Sequence, residues 1–409
     1  MNPILIAGVD LGTTKTCAVI AEVPQDPMLR REINILGVGQ ARTVGMQEVI
    51  THIDETTESI KNALAEAELM AGAEVDRVYV GVRGDNIQAM MSPGIVAVQG
   101  DEISRHDIER VHEVARAVAF PPDRELIHAI PQEYVVDGQR GIKDPLGMMG
   151  TRLEAELYLV TVSALAAENI RRSVHRAGYQ VEDLILEPLA AARSVLTVDE
   201  KEVGVALVEI GDATTNIAAY VDGEIRHLAV LPLGGHTVTN DLVQGLSIPF
   251  VEAKKTKELF GIACSQLVDP KEMIELPGLV GGQTRQVARE LIAHVIEARM
   301  DELLVMTRAE LQREGLLSKL NAGIVLSGGA SALQGVNSLA QQVFAAPVRN
   351  GSPGEELAGI ADSVARPKFS TAVGLVLSGF DRYKETGFGS SSLSSGLIGK
   401  MRKWLREFF

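Results

Sequence analysis

One pattern occurs twice along this chain at a fixed interval. Near the start, ILIAGVDLGTTKTCAVIAEV sets an apolar run, a Gly/Thr break and a second apolar run in succession, which reads as two strands around a tight turn. VGVALVEIGDATTNIAAYV repeats the arrangement: Asp10 to Glu209, Gly12 to Gly211 and Thr16 to Thr215 each differ by 199. Such a recurrence implies two halves built on one plan. Helical periodicity follows the first unit at 54–72, 105–119 and 164–177, and the second at 283–315 and 332–346. Strands alternating with helices predict α/β layers, with a ligand cleft between the halves beyond the strand ends.

The spacing changes between 83 and 162, where Gly and Pro punctuate the chain (SPG, FPPD, KDPLG) around strand-like GIVAVQ and AELYLVTV; this reads as an inserted subdomain. After Asp381 the composition shifts to GFGSSSLSSG, a linker with nothing to bury. The formal charge of −15, from 39 basic and 54 acidic side chains, disfavours a nucleic-acid partner and makes any local basic patch informative. Cys17 and Cys264 stand far apart without CxxC spacing, which fits a reducing cytosol, and the eight histidines form no metal cluster. The start MNPILIAGVDLGTTK lacks a basic n-region, and no window reaches the ~18 apolar residues of a spanning helix, so the chain is expected to be neither exported nor transmembrane.

The first hairpin, Asp10-Leu11-Gly12-Thr13-Thr14-Lys15, carries the chemistry of a phosphate site, although a plain turn would also accommodate these residues. Backbone N–H groups of a small-residue turn can wrap phosphates, the hydroxyls of Thr13 and Thr14 and the Lys15 ammonium can meet them, and Asp10 can hold a hydrated Mg²⁺. GIVLSGGASALQGV reads as a strand, a Gly-Gly turn and a helix start, suited to a flat base or to phosphate at a helix N-terminus.

The last fourteen residues, GLIGKMRKWLREFF, place Leu397, Ile398, Met401, Trp404, Leu405 and Phe408 on one helical face and Lys400, Arg402, Lys403 and Arg406 on the other. Such a helix spans only about 21 Å, so it is expected to lie in an anionic membrane surface, not to cross it. Each basic residue adds on the order of 1 kcal/mol there, and one tail alone binds marginally, whereas many tails on a filament bind through avidity. A terminal helix packed on its own domain is the alternative.

Together the hairpins, the inserted-segment run AFPPDRELIHAIPQEYVVDGQRGIKDPLGMMGTRLEAELYLVT, and EPLAAARSVL, LPLGGHTVTNDL, VIEARMDELL and ARPKFSTAVGLVL resemble the actin, Hsp70 and sugar-kinase superfamily, and within it the FtsA family. The resemblance implies an actin-like ATPase fold: two duplicated α/β domains around a nucleotide cleft, an inserted subdomain and a C-terminal amphipathic helix. The implied boundaries are 1–82 with 163–195 (first core), 83–162 (insertion), 196–240 with 316–380 (second core), 241–315 (small subdomain), 381–395 (linker) and 396–409 (membrane helix). ATP and Mg²⁺ are the implied cofactors. Carried over, the first phosphate loop is Asp10, Gly12, Thr13, Thr14 and Lys15, and the second Glu209, Gly211, Thr214 and Thr215. Gly234, Gly235 and Lys257 join the nucleotide set, the adenosine loop is Gly328, Gly329 and Ala330, and Asp10 and Glu209 hold the metal through water. The implied role is that of a division-site tether on the inner face of the cytoplasmic membrane, polymerising with itself, binding the FtsZ C-terminal tail on 241–315 and meeting later division proteins. Arg299 is a candidate FtsZ contact or a solvated helix residue. A pilus-assembly homologue and a metabolic kinase of the same fold are the rival readings; an Hsp70-like chaperone would need a further domain, and only a linker and a helix follow.

The second hairpin departs from the usual D-x-G-G-G-T-T-D, reading Glu209-Ile-Gly-Asp-Ala-Thr-Thr-Asn216, and Lys254 stands where a Glu is usual. Asp212 brings a negative charge toward a phosphate, a repulsion of about 4 kcal/mol at ~4 Å and an effective dielectric near 20 unless offset. Hydrolysis is therefore expected to be slow or absent.

Overall fold

In the structure, a computed structural model that describes residues 3–24, 32–46, 49–83, 87–278 and 284–386, the first hairpin is β1 (Leu5–Leu11) and β2 (Lys15–Glu22), with Leu11 opposite Thr16. Both strands are buried almost throughout, as their near-continuous apolar runs require of strands covered on both faces. They sit in a six-stranded sheet with β3 (Ile33–Arg42), β4 (Arg77–Val82), β9 (Gln180–Leu186) and β17 (Leu357–Gly359), ordered β17-β3-β2-β1-β4-β9. α1 (Ile53–Ala71) and α3 (Ala164–Arg176) cover one face, burying Ile60, Ala63, Leu64, Ala67 and Val174. α10 (Ser370–Thr386) covers the other beside α4 (Glu187–Val195).

The second half repeats this design. β10 (Val205–Ile210), β11 (Thr215–Val221), β12 (Glu224–Leu231), β15 (Gly323–Ser327) and β16 (Val348–Asn350) are ordered β12-β11-β10-β15-β16, joined by two antiparallel and then two parallel pairings. β3-β2-β1-β4-β9 shows the same sequence of senses, so the 199-residue offset is a true structural duplication. α5 (Val198–Val203) links the halves; α6 (Gly235–Leu246), α7 (Phe250–Phe260), α8 (Arg289–Arg313) and α9 (Val336–Phe344) follow, with the hairpin β13 (Met273–Pro277) and β14 (Thr284–Ala288) beside α8. Val205, Leu207, Ala218 and Val325 share one apolar cluster with Val9, Leu11 and Ala18, which welds the two sheets into one core.

Within 83–162 lies a separate antiparallel sheet of β5 (Gln88–Ala97), β8 (Arg152–Ser163), β6 (Arg124–Val136) and β7 (Gln139–Ile142), covered by α2 (Arg105–Arg116). α2 starts at a capping box: the Ser104 hydroxyl accepts from the Asp107 amide, and the Asp107 carboxylate accepts from Ser104 N at 3.0 Å.

Three expectations need correction. Residues 284–288 are strand, since their alternation pairs with β13, and the helix begins only at Arg289. Residues 357–386 belong with the first core although they follow the second: β17 pairs parallel with β3, and Val373, Val376, Leu377 and Phe380 of α10 pack beneath β1–β3. Residues 381–386, expected in the linker, continue α10, where Asp381 anchors Arg193 at 2.6 Å and Asp183 pairs with Arg382. The remaining linker and the helix expected over 396–409 lie outside the described residues.

Candidate nucleotide site

The two duplicated hairpins and the turn after β15 surround a cavity of about 400 Å³ between the halves. Close backbone approach dictates glycine twice: a Cβ on Gly12 would lie 2.4 Å from the Lys15 carbonyl, and one on Gly328, at φ 82°, 2.5 Å from the Ile210 carbonyl. Gly329 meets nothing within 4 Å and stays open, with Ala330 next to it. α6 begins at Gly235, which brings the positive end of its helix dipole to the cavity wall, while the Gly235 and His236 amides bond the Gly211 and Asp212 carbonyls at 2.9 and 2.7 Å.

Asp10, Gly12, Thr13, Thr14 and Lys15 all line the cavity, as do Glu209, Gly211, Thr214, Gly235, Lys257, Gly328, Gly329 and Ala330. Thr215 and Gly234 do not. Strand alternation turns Thr214 and Asn216 to the cavity and Thr215 away from it, where its hydroxyl donates to the Leu233 carbonyl at 2.8 Å. Gly234 is a spacer, since a Cβ there would strike the Asp212 carbonyl at 2.6 Å. Lys15 Nζ donates to the Lys368 carbonyl at 2.6 Å, tying the first turn to the segment that leads into α10. Lys257 braces the first turn of α6 from beneath, donating to Gly235 O at 2.6 Å and to Thr239 Oγ1 at 2.8 Å; burial lowers its pKa, and Asp212 opposes that shift.

Three carboxyls converge on the cavity. Burial pushes those of Asp10, Glu187 and Glu209 above the ordinary range, Glu187 furthest, and Asp10 and Glu209 each raise Glu187 while Arg83 opposes them. Glu209 accepts from Thr371 Oγ1 at 2.6 Å and from Asn216 Nδ2 at 3.1 Å. Arg83 donates to the Leu11 carbonyl and holds its Nε 3.8 Å from Glu187, whose buried Oε1 accepts no hydrogen bond among the described residues. An orphaned carboxylate oxygen among three hard oxygen donors fits a divalent cation. Asp212 stands beside the α6 N-terminus, a neighbour that the sequence did not reveal: His236 Nδ1 lies 3.8 Å from its carboxylate and the His236 amide bonds its backbone carbonyl at 2.7 Å.

Glu187, Arg83, Asn216, Lys368 and Thr371 line the cavity without having been singled out. Glu187 opens EPLAAARSVL, where a carboxylate directly before a proline at a helix start was the available signal; Arg83 carries none.

Residues 206–374 match the family model described as cell division protein FtsA, and 84–161 the model for the SHS2 domain inserted in FtsA. The cell division protein FtsA of Pseudomonas aeruginosa is 39% identical over 414 residues, covering 99% of this chain and 98% of that protein. The chain belongs to the FtsA family. Its similarity to FtsA of Neisseria meningitidis is 37% over 412 residues and to that of Escherichia coli K12 35% over 417, each covering 99% of this chain and 98% of the relative. This FtsA homologue is accordingly assigned to cell division. Its fold is actin-like: similar solved structures include a PilM–PilN type IV pilus biogenesis complex (TM-score 0.64, 16% identity, 92% of this chain and 98% of that one) and MreB5 of Spiroplasma citri bound to ADP (0.53, 13%, 93% and 96%). A MamK double helical filament is similar at TM-score 0.51 and 14% identity, covering 91% and 97%. These likenesses concern the fold alone, and family membership sets the pilus-assembly and kinase readings aside.

Proposed function

We propose that this FtsA homologue binds ATP with Mg²⁺ in the cleft, polymerises, and tethers an FtsZ polymer to the cytoplasmic membrane at the division site. The observation that carries the nucleotide part is the convergence of both hairpins, the Gly328–Gly329 turn and the α6 N-terminus on one cavity. Asp10, Glu187 and Glu209 are the residues that would hold the cation, with Glu209 acting through water because Thr371 and Asn216 occupy its oxygens. When bound, Mg²⁺ neutralises phosphate charge and relieves the repulsion among these carboxyls. Lys15 and the turn amides hold the phosphates, Lys257 keeps the first turn of α6 rigid against them, and Gly329 leaves a flat face for the base. The departures of the second hairpin from its usual form support a nucleotide that acts as a switching ligand with slow turnover.

The tether rests on the sequence of 396–409: an apolar face with Trp404 opposite four basic side chains. Arg299 bonds Asp241 at 2.5 Å through Nε and also pairs with Glu302, so any contact it makes with the FtsZ tail is through a guanidinium held between α6 and α8. Pelleting with anionic liposomes and Mg-ATP tests the reading, comparing the full chain with one ending at Ser395. Sedimentation of the full chain alone, with filaments on the lipid, is expected. If both stay in the supernatant the tether is wrong, and steady multiple-turnover ATPase at the rate of an ordinary kinase would sink the switching role.

A further inference from the structure

A larger cavity, about 680 Å³, lies behind the nucleotide cleft where three parts of the fold meet. β6 and β7 of the inserted subdomain, the ends of β9, α4 and α10 from the first core, and α5 with the β11–β12 turn from the second core form its walls. Its volume falls in the range of small-molecule sites. In a chain of charge −15, its lining carries five cationic side chains against two acidic ones, Glu224 and Asp381.

Four of the five cations already have carboxylate partners. Arg193 holds Asp381 at 2.6 Å and Glu356 at 2.7 Å, Lys143 holds Glu202 at 2.7 Å, Lys384 lies 3.7 Å from Asp381, and Arg382 pairs with Asp183. Lys201 is different. Its ammonium stands over the Tyr220 ring at 5.0 Å and has no hydrogen-bond or carboxylate partner among the described residues. The acids that bear on it from a distance are engaged elsewhere: Asp381 and Glu356 with Arg193, and Glu200 with Arg349. Burial is the main reason its pKa falls to about 8, the signature of a charge short of a counter-ion.

A second polar atom is orphaned in the lining. Gln132 is only 6% exposed, and its Oε1 accepts no hydrogen bond among the described residues, although its Nε2 reaches the Ile130 and Pro131 carbonyls. His128 adds no charge: its Nε2 accepts the Leu186 amide at 3.0 Å, and burial pushes its pKa down to about 3. Ile130, Pro131, Ile142, Ile185, Leu189 and Ile225 supply an apolar surround.

We propose that this cavity is a binding site for a small organic monoanion, an apolar body whose carboxylate pairs with the Lys201 ammonium. A single uncommitted cation suits a single negative charge, since a dianion would bury one charge without a partner. The apolar walls select against inorganic ions, and Gln132 Oε1 favours a body that also carries a hydroxyl or N–H donor. The site is independent of the tether reading. A ligand there bears on the strand end that continues into Leu186 and Glu187, one residue from the nucleotide cleft.

The test titrates the full chain, calorimetrically and by NMR of its ¹³Cε-labelled lysines, with benzoate, the neutral benzyl alcohol and inorganic phosphate. Benzoate is expected to bind with a Kd of about 1–10 mM, roughly tenfold tighter than either comparison compound. Lys201→Met is expected to erase that advantage and Lys201→Arg to retain it. In the wild-type chain, benzoate is expected to move the Lys201 resonance and raise its pKa, a readout that stands even if Lys201→Met fails to fold. No benzoate binding, equal binding by Lys201→Met, or a Lys201 resonance unmoved at saturation would overturn the proposal. A preference for phosphate over benzoate would overturn it too, and would mark a plain anion site.

Discussion

Thr371→Val removes one hydroxyl from the floor of the cleft and tests whether the two halves are tied there through Glu209. Glu209 ends β10 in the second sheet, while Thr371 opens α10, which packs on the first. Their bond, 2.6 Å between groups that are 5% and 7% exposed, therefore crosses from one half to the other. A hydrogen bond to a charged acceptor contributes about 1.5–3 kcal/mol, and after the change Glu209 keeps only Asn216 at 3.1 Å and Ser370 at 3.5 Å. A loss of about 2 kcal/mol is expected, which at an m-value near 2 kcal/mol/M lowers the urea midpoint by about 1 M. The pH dependence sharpens the test. Burial raises the Glu209 pKa above 4.5 and the Thr371 bond opposes that rise, so the variant's folded pKa lies higher still. The cost must then be small where both forms are protonated and must grow as pH rises through the wild-type folded value. Urea titrations at pH 5 and pH 8 measure both quantities. A midpoint unchanged within about 0.2 M, or a cost larger at pH 5 than at pH 8, refutes a charged, cross-cleft Glu209.

Gly374→Ala puts a Cβ 1.7 Å from the Ala190 carbonyl where α10 crosses α4, so a loss of about 3 kcal/mol or an insoluble product is expected, and wild-type stability in urea would contradict that close crossing. Ser104→Ala breaks the α2 capping box and is expected to cost about 1 kcal/mol; hydrogen exchange should quicken in α2 and not in the two large sheets. Asp10, Glu187 and Glu209 have folded pKa values raised above 3.8–4.5, so the stability they contribute is full below those values and is lost as pH rises through the folded ones. Mg-ATP should flatten that decline and release protons, seen as binding heats that vary with buffer ionisation enthalpy; heats independent of the buffer would count against the carboxyl cluster as the cation site.

What the sequence determined by itself is local or periodic. Strand-turn-strand grammar is a property of neighbouring residues, so both phosphate hairpins, their duplication and the Gly-Gly break at 328–329 were legible before any fold was known, whereas the carbonyl that bars a Cβ at Gly328 comes from Ile210, distant in sequence. Alternation within one strand was equally available, and it separates Thr214 from Thr215. The tertiary structure decided what depends on residues distant in sequence. Glu187 and Arg83 reach the cleft only because α4 begins and β4 ends there, and Asp212 stands beside the start of α6, whose position no local pattern announces. The return of 357–386 to the first sheet is the clearest case. An apolar helix face specifies that it must be buried, but the burial energy is non-directional, and only the assembled core selects the sheet that receives it.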